Sequence, residues 1–200
     1  MSADTAAPAN ADAFLAPYFE QYTKLMYNAE VAANIQKFAD LALQVRANGA
    51  KMMFSGNGAS ASCAEHGATD FTKQGKVRGV TFHDPNLMTC FANDFGFDHW
   101  VAKAVEHYAD DNDVVVLISV SGTSPSVVNA AKYAKERGLK VVSFTGRSSD
   151  NPLKQLSDIA FWADSDAYNV VENLHGMWLT GTIDYVIGKS VYETRAYELK

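Results

Sequence analysis

Cysteine is scarce in these 200 residues: Cys63 and Cys90 are the only two, and no CxxC spacing relates them. A disulfide framework is thereby excluded, and the pair reads as reduced thiols of a cytoplasmic protein. Positive charge is short as well. With 17 Lys and Arg against 23 Asp and Glu, the formal net charge is -6. That argues against a broad footprint on nucleic acid or anionic lipid and leaves room only for a local basic pocket. No run is apolar enough to span a membrane, and no basic, apolar leader is visible. Met1 to Asn10 is small and polar and reads as a disordered tail.

What is present is apolar side chain, 48% of the chain, enough for one globular domain over 11–200 with a full core and a helical extension over 11–49. Its organising stretch runs from Asp113 to Ala131. Val114 to Ile118 is an unbroken, mostly β-branched run, as in a strand covered on both faces. Ser119, Ser121, Thr123, Ser124 and Ser126 then crowd a loop around Gly122. Pro125 follows Ser124 as a first-turn proline follows an N-cap, and Gly138 is placed to stop the helix in a left-handed conformation. Hydroxyls, free N–H groups and a helix dipole thus meet at one strand end, which suits a phosphate or another oxyanion. The alternative is a capped strand-to-helix turn.

A second loop of this type stands upstream. Lys51 to Phe54 reads as a strand, and Ser55-Gly-Asn-Gly-Ala-Ser60 follows, with Ser60 expected to cap a helix from Ala61. Two such loops, each between a strand and a helix, are a stronger signal than either alone, because open α/β sheets bind ligands at that edge.

Around these loops the pattern is regular. Two helices lead, one carrying Phe14, Leu15, Tyr18, Phe19, Tyr22, Leu25 and Met26, the other Val31 to Val45. Their aromatic load is expected to meet a partner chain. Strands follow at Val80 to Phe82, Lys140 to Thr145 and Ile159 to Trp162, and helices from Asn86, Trp100 and Pro152. A last helix is expected from Ala167 toward Tyr197. The alternation predicts an α/β three-layer sandwich: a five-stranded parallel sheet of flavodoxin-like type, preceded by N-terminal helices and closed by a long C-terminal helix.

Several polar pairs invite chemistry. His66 and Asp70, four apart, share a helix face with Cys63 and Gly67 beside them; they are either a solvated pair or an acid/base or metal-ligating pair. Asn93-Asp94 reads as buried hydrogen bonding or a substrate hydroxyl contact. Glu172 and His175, three apart, are placed to face one point, as an ion pair or a catalytic one.

The order Gly56-Asn-Gly-Ala-Ser60, Asn93-Asp-Phe-Gly-Phe97 and Ser119-Val-Ser-Gly-Thr-Ser124 resembles the sugar isomerase (SIS) domain, in its phosphoheptose isomerase branch, over essentially Glu30 to Lys189. The resemblance implies a homotetramer that interconverts sedoheptulose 7-phosphate and an aldoheptose phosphate through an enediolate. It places phosphate binding at Ser119, Val120, Ser121 and Ser124, first-loop contacts at Asn57, Gly58 and Ser60, and further substrate contacts at Asp94 and Asn169. It also places the acid/base groups at His66, Asp70 and Glu172, with a possible zinc ion on those same three side chains.

The chain departs from the pattern where protons move. His66 is kept, but Asp70 replaces a glutamate, Glu172 a glutamine, Thr180 a histidine, Gln74 an arginine and Asn169 an aspartate. A threonine is no base near neutral pH. The expected function is therefore a phosphosugar aldose-ketose isomerase with an altered acid/base set. The alternative is an inactive relative that binds a phosphosugar or a protein partner.

Overall fold

The computed structural model describes residues 7, 8 and 10–192. Most of the expected tail, and everything after residue 192, lies outside the described residues. The elements in chain order are α1 Ala11–Leu25, α2 Ala29–Ala47, β1 Lys51–Gly56, α3 Ala59–Lys73, β2 Arg78–Thr81, α4 Pro85–Phe95 and α5 Trp100–Tyr108. There follow β3 Val114–Ser119, α6 Pro125–Glu136, β4 Lys140–Gly146, α7 Pro152–Leu156, β5 Ile159–Ala163 and α8 Tyr168–Ile187.

The five strands form one parallel sheet in the order β2-β1-β3-β4-β5. The valine run becomes β3 at its centre, buried at every position. Side chains alternate between faces along each strand. Phe54, Val116, Val142 and Ile159 stand in one register row on the face covered by α2, α3 and α8. Met53, Val115 and Val141 form the next row, on the face covered by α5 and α6. The three layers follow from that alternation.

Of the two leading helices, α2 departs from the expectation of a partner. Its Phe38, Ala42 and Val45 are buried in the sheet's own core, with Phe38 against Phe71, Phe144 and Phe161. Only α1 keeps an open apolar face, with Phe14, Phe19 and Leu15 exposed. Its far end is pinned to α8: Asn173 donates to the Tyr22 hydroxyl at 2.8 Å, and the Trp178 indole N–H donates to the Met26 carbonyl at 2.8 Å.

Two helix ends differ from the sequence reading. The last helix stops at Ile187, because Gly188 takes a left-handed φ of 82° and its N–H closes on the Asp184 carbonyl, well short of Tyr197. Helix α3 starts at Ala59, with Gly58 as its N-cap and no side-chain cap bond, so Ser60 lies inside the first turn instead of capping it. The acidic stretch before β3 proves to be a lock. Asp113 is buried, accepts from the Lys51 and Asp110 backbone N–H groups, and pairs with the Lys51 ammonium at 2.6 Å.

Candidate functional site

The strand order reverses between β1 and β3, so the chain leaving β1 enters α3 on one face while that leaving β3 enters α6 on the other. Diverging connections leave a crevice at the carboxyl ends of the two strands, where open α/β sheets take ligands. Here it is a hollow of about 190 Å³. Asn57 and Ser60 line it from the first loop, and Ser119, Val120, Ser121 and Ser124 from the second, over Ile118. From the opposite wall come Tyr168 and Glu172, in the first two turns of α8.

The second loop is internally braced. The Gly122 N–H donates to the Ser119 hydroxyl at 3.2 Å, and the Thr123 N–H to the Ser121 hydroxyl at 3.2 Å. Ser124 is the N-cap residue of α6 but makes no side-chain cap bond, and among the described residues its hydroxyl meets only that of Ser119, at 3.4 Å. It is therefore free to face a ligand. The N-termini of α3 and α6 both reach the hollow, through Ser60 and Ser124, so the positive ends of two helix dipoles meet there. Beneath the loop, Asn151 is 2% exposed and donates to the Ser148 carbonyl and the Thr145 hydroxyl. Gly122, at φ +63°, packs against it so closely that a Cβ would stand 2.0 Å from the Asn151 carbonyl oxygen. The Gly146 N–H donates to the Val120 carbonyl, which fixes the loop to β4.

Glu172 faces Cys63 of α3. Burial first, and the Glu172 charge second, push that thiol up to about 11, so it stays protonated near neutral pH and does not compete as a nucleophile.

The remaining expected site residues stand elsewhere in the chain. His66 and Asp70 do pair, at 3.1 Å, but neither lines the hollow, and His66 is largely exposed. Asp94 and Asn93 are both exposed and hydrogen-bonded to each other, so of the two readings of this pair it is buried hydrogen bonding that fails. Asp94, Gly58 and Asn169 also lie outside the lining, although Gly58 caps the helix that Ser60 belongs to. Glu172 and His175 do not face one point. Glu172 looks into the hollow, whereas His175 is wholly buried and its Nε2–H donates to the Thr145 carbonyl at 3.0 Å. Burial holds that imidazole down to about 4 despite the carbonyl, so it is neutral and, enclosed in the core, is no substitute for the histidine that the resemblance implies at position 180. The Thr180 hydroxyl donates to the Gly176 carbonyl of its own helix. Among the described residues, no three His, Cys, Asp or Glu side chains come together as metal ligands. Within one chain, His66, Asp70 and Glu172 accordingly do not fit a zinc ion.

The sequence reading passed over Tyr168, whose place at the start of α8 was its only signal, and the pairing of Ser126 with Asn57 across the two loops.

A parallel sheet of order 2-1-3-4-5 with hydroxyl-rich loops at its switch point defines a ligand-binding, flavodoxin-like α/β protein. The family model described as SIS domain matches residues 17–146. A phosphoheptose isomerase of Fusobacterium nucleatum is 31% identical over 166 residues, covering 80% of this chain and 85% of that one. Another, from Geobacter sulfurreducens, is 39% identical over 136 residues, covering 65% and 71%. The solved structure of a phosphoheptose isomerase from Neisseria gonorrhoeae superposes with a TM-score of 0.80 at 29% identity, over 88% of this chain and 99% of that one. The chain belongs to the SIS domain family, in its phosphoheptose isomerase branch.

Proposed function

We propose that the protein is a phosphosugar aldose-ketose isomerase of phosphoheptose isomerase type, acting on sedoheptulose 7-phosphate or a related sugar. The observation that carries this reading is the presence of a carboxylate, Glu172, in the same hollow as the Ser119, Ser121 and Ser124 hydroxyls. The second loop and the α6 N-terminus hold the phosphate, and the sugar extends toward α8. Glu172 takes the proton from the carbon beside the carbonyl. The electron pair forms the enediol double bond, and the carbonyl electrons move onto oxygen. Protonated Glu172 then returns the proton to the neighbouring carbon.

A second acid/base group must move the hydroxyl proton between the two oxygens. His66 with Asp70 supplies it from a neighbouring copy, since the pair stands outside the hollow of its own chain. The reading therefore includes a homotetramer. Exposed Phe14, Phe19 and Tyr27 near α1, and Met177 and Tyr185 on α8, support self-association. It also includes a cytoplasmic setting; among the described residues no helix is long and apolar enough to cross a membrane.

A turnover screen over phosphorylated ketoses and aldoses tests it. Glu172→Gln should cost on the order of 10²-fold or more in turnover. A Ser121→Ala, Ser124→Ala double variant should weaken phosphate-bearing sugars by roughly 1–3 kcal/mol. Undiminished turnover by Glu172→Gln removes Glu172 as the base. One observation favours a second reading, binding without turnover: the hydroxyl of Thr180, at the position where the family resemblance implies a histidine, is committed to its own helix. Saturable thermal stabilisation by a sugar phosphate, with no product from any sugar tested, selects that reading.

A further inference from the structure

A second hollow, of about 490 Å³, adjoins the first and shares Ser121 with it; Thr123, Arg147, Ser148 and Asp166 complete its wall. Among the described residues, Arg147 is the one cation on the lining of either hollow. In a protein of net charge -6, an anionic ligand gains most from a cation placed at its own site.

The backbone at Arg147 is specially held. Its φ is +55°, in the left-handed region that non-glycine residues enter at a cost, and that cost is borne where surrounding structure fixes the residue. Two bonds do so: the Arg147 N–H donates to the Ser165 carbonyl at 3.1 Å, and its carbonyl accepts from the Trp162 indole at 3.2 Å. The side chain, by contrast, is lightly held. Its Nε donates to Asp166 at 3.1 Å, and both partners are solvent-exposed, the situation in which an ion pair is weakest. The guanidinium lies 6.0 Å from the ring of Tyr168, which lines the first hollow. A fixed base and a loosely tethered fork at the boundary of two hollows suit a group that changes partners.

We propose that Arg147 is a phosphate-contacting residue that exchanges the Asp166 carboxylate for the phosphate of a sugar held by the Ser119 to Ser124 loop. The inference rests on that loop being the phosphate cradle. A guanidinium offers two parallel N–H donors to either anion, and a phosphate dianion on a partly enclosed loop outcompetes an exposed carboxylate. Asp166 is then a competitor that lowers affinity, and removing it has the opposite sign from removing Arg147.

The test is calorimetric titration of the full-length protein with sedoheptulose 7-phosphate, with unphosphorylated sedoheptulose as control. Arg147→Gln should weaken the phosphorylated sugar about tenfold or more. Asp166→Asn should tighten it severalfold, and neither should alter the control. Arg147→Gly guards against misfolding, because glycine accepts the positive φ, and it should lose affinity with an unchanged melting temperature or a raised one. If Arg147→Gln and Asp166→Asn move affinity in the same direction, the pair is structural and the proposal fails. If Arg147→Gln changes nothing while Ser121→Ala with Ser124→Ala weakens binding, Arg147 is refuted and the cradle stands. If no variant alters affinity, or the wild type does not bind, both are refuted.

Discussion

The side-chain amide of Asn57 donates to the hydroxyl of Ser126 at 3.0 Å, joining the loop after β1 to the first turn of α6. These residues are far apart in the chain, and this is a direct side-chain link between the two walls of the hollow. Ser126→Ala leaves the amide without its partner inside the crevice. Sugar-phosphate affinity should fall by roughly 0.5–1.5 kcal/mol, although Ser126 itself lies beneath the lining. Calorimetric titration reads this, and unchanged affinity would show that the loops hold their spacing without the bond.

Gly122→Ala meets both a left-handed backbone and the Asn151 side chain at 2.0 Å. We expect a loss of roughly 2–4 kcal/mol in urea-unfolding stability, from the strained φ together with overpacking. Asn151→Ala by itself loses the bonds to Ser148, Thr145 and the Lys154 N–H, so the comparison is a double-mutant cycle: Gly122→Ala should cost less in the Asn151→Ala background than in the wild type, the remainder being the backbone part. An equal cost in both backgrounds would rule out Asn151 as the obstacle.

Acid should weaken the fold through His175. The unfolded imidazole takes its proton near 6.5, whereas burial in the native core delays protonation to about 4. Between those values the unfolded chain binds the proton and the folded chain does not, so stability falls as pH drops through that window, by on the order of 3 kcal/mol in all. His175→Gln should flatten the slope of the urea midpoint between pH 6.5 and 4. Direct observation of a native His175 ring titrating near 6.5 by NMR would defeat the prediction.

Cys63 and Cys90 should label very differently. Cys90 is exposed, while Cys63 is half-buried and its thiol is pushed up to about 11, by burial first and Glu172 second. Iodoacetamide at pH 8 should modify Cys90 well before Cys63. Glu172→Gln removes the second cause and should raise the Cys63 rate by about a few-fold. Mass spectrometry of the labelled peptides separates the two sites, and a Cys63 rate indifferent to residue 172 would place Glu172 away from the thiol.

The sheet was legible because local signals agreed with the global ones. Val114 to Ile118 is short, mostly β-branched and bounded by polar loops, which marks a strand covered on both faces, and Gly138, at φ 79°, ends the following helix where the sequence put the stop. The two loops were legible for the same reason, since glycine and hydroxyl residues between a strand and a helix have few other uses. What the sequence hid was placement in three dimensions. Spacing of four gave the His66–Asp70 pair correctly, yet at 1.5 Å per residue Asp70 already stands about 15 Å along α3 from Ser60, too far to share its hollow. Arg147 and Tyr168 carry no motif; Tyr168 reaches the crevice and Arg147 the hollow adjoining it because β4 pairs with β3 and β5 with β4, which brings the chain after each strand to the same sheet edge. The end of α8 was masked by apolar residues on either side of Gly188.

Gly67 sets a limit on how this molecule can be re-engineered. A Cβ there would stand 2.5 Å from Leu179, so α3 and α8 touch without a spacer and neither can slide along the other cheaply. The helix pair behaves as a ruler with its marks cut at fixed heights. Sliding the helices therefore cannot draw His66 and Asp70 up to the hollow that Glu172 lines, and any group wanted beside Glu172 would have to be grafted level with it.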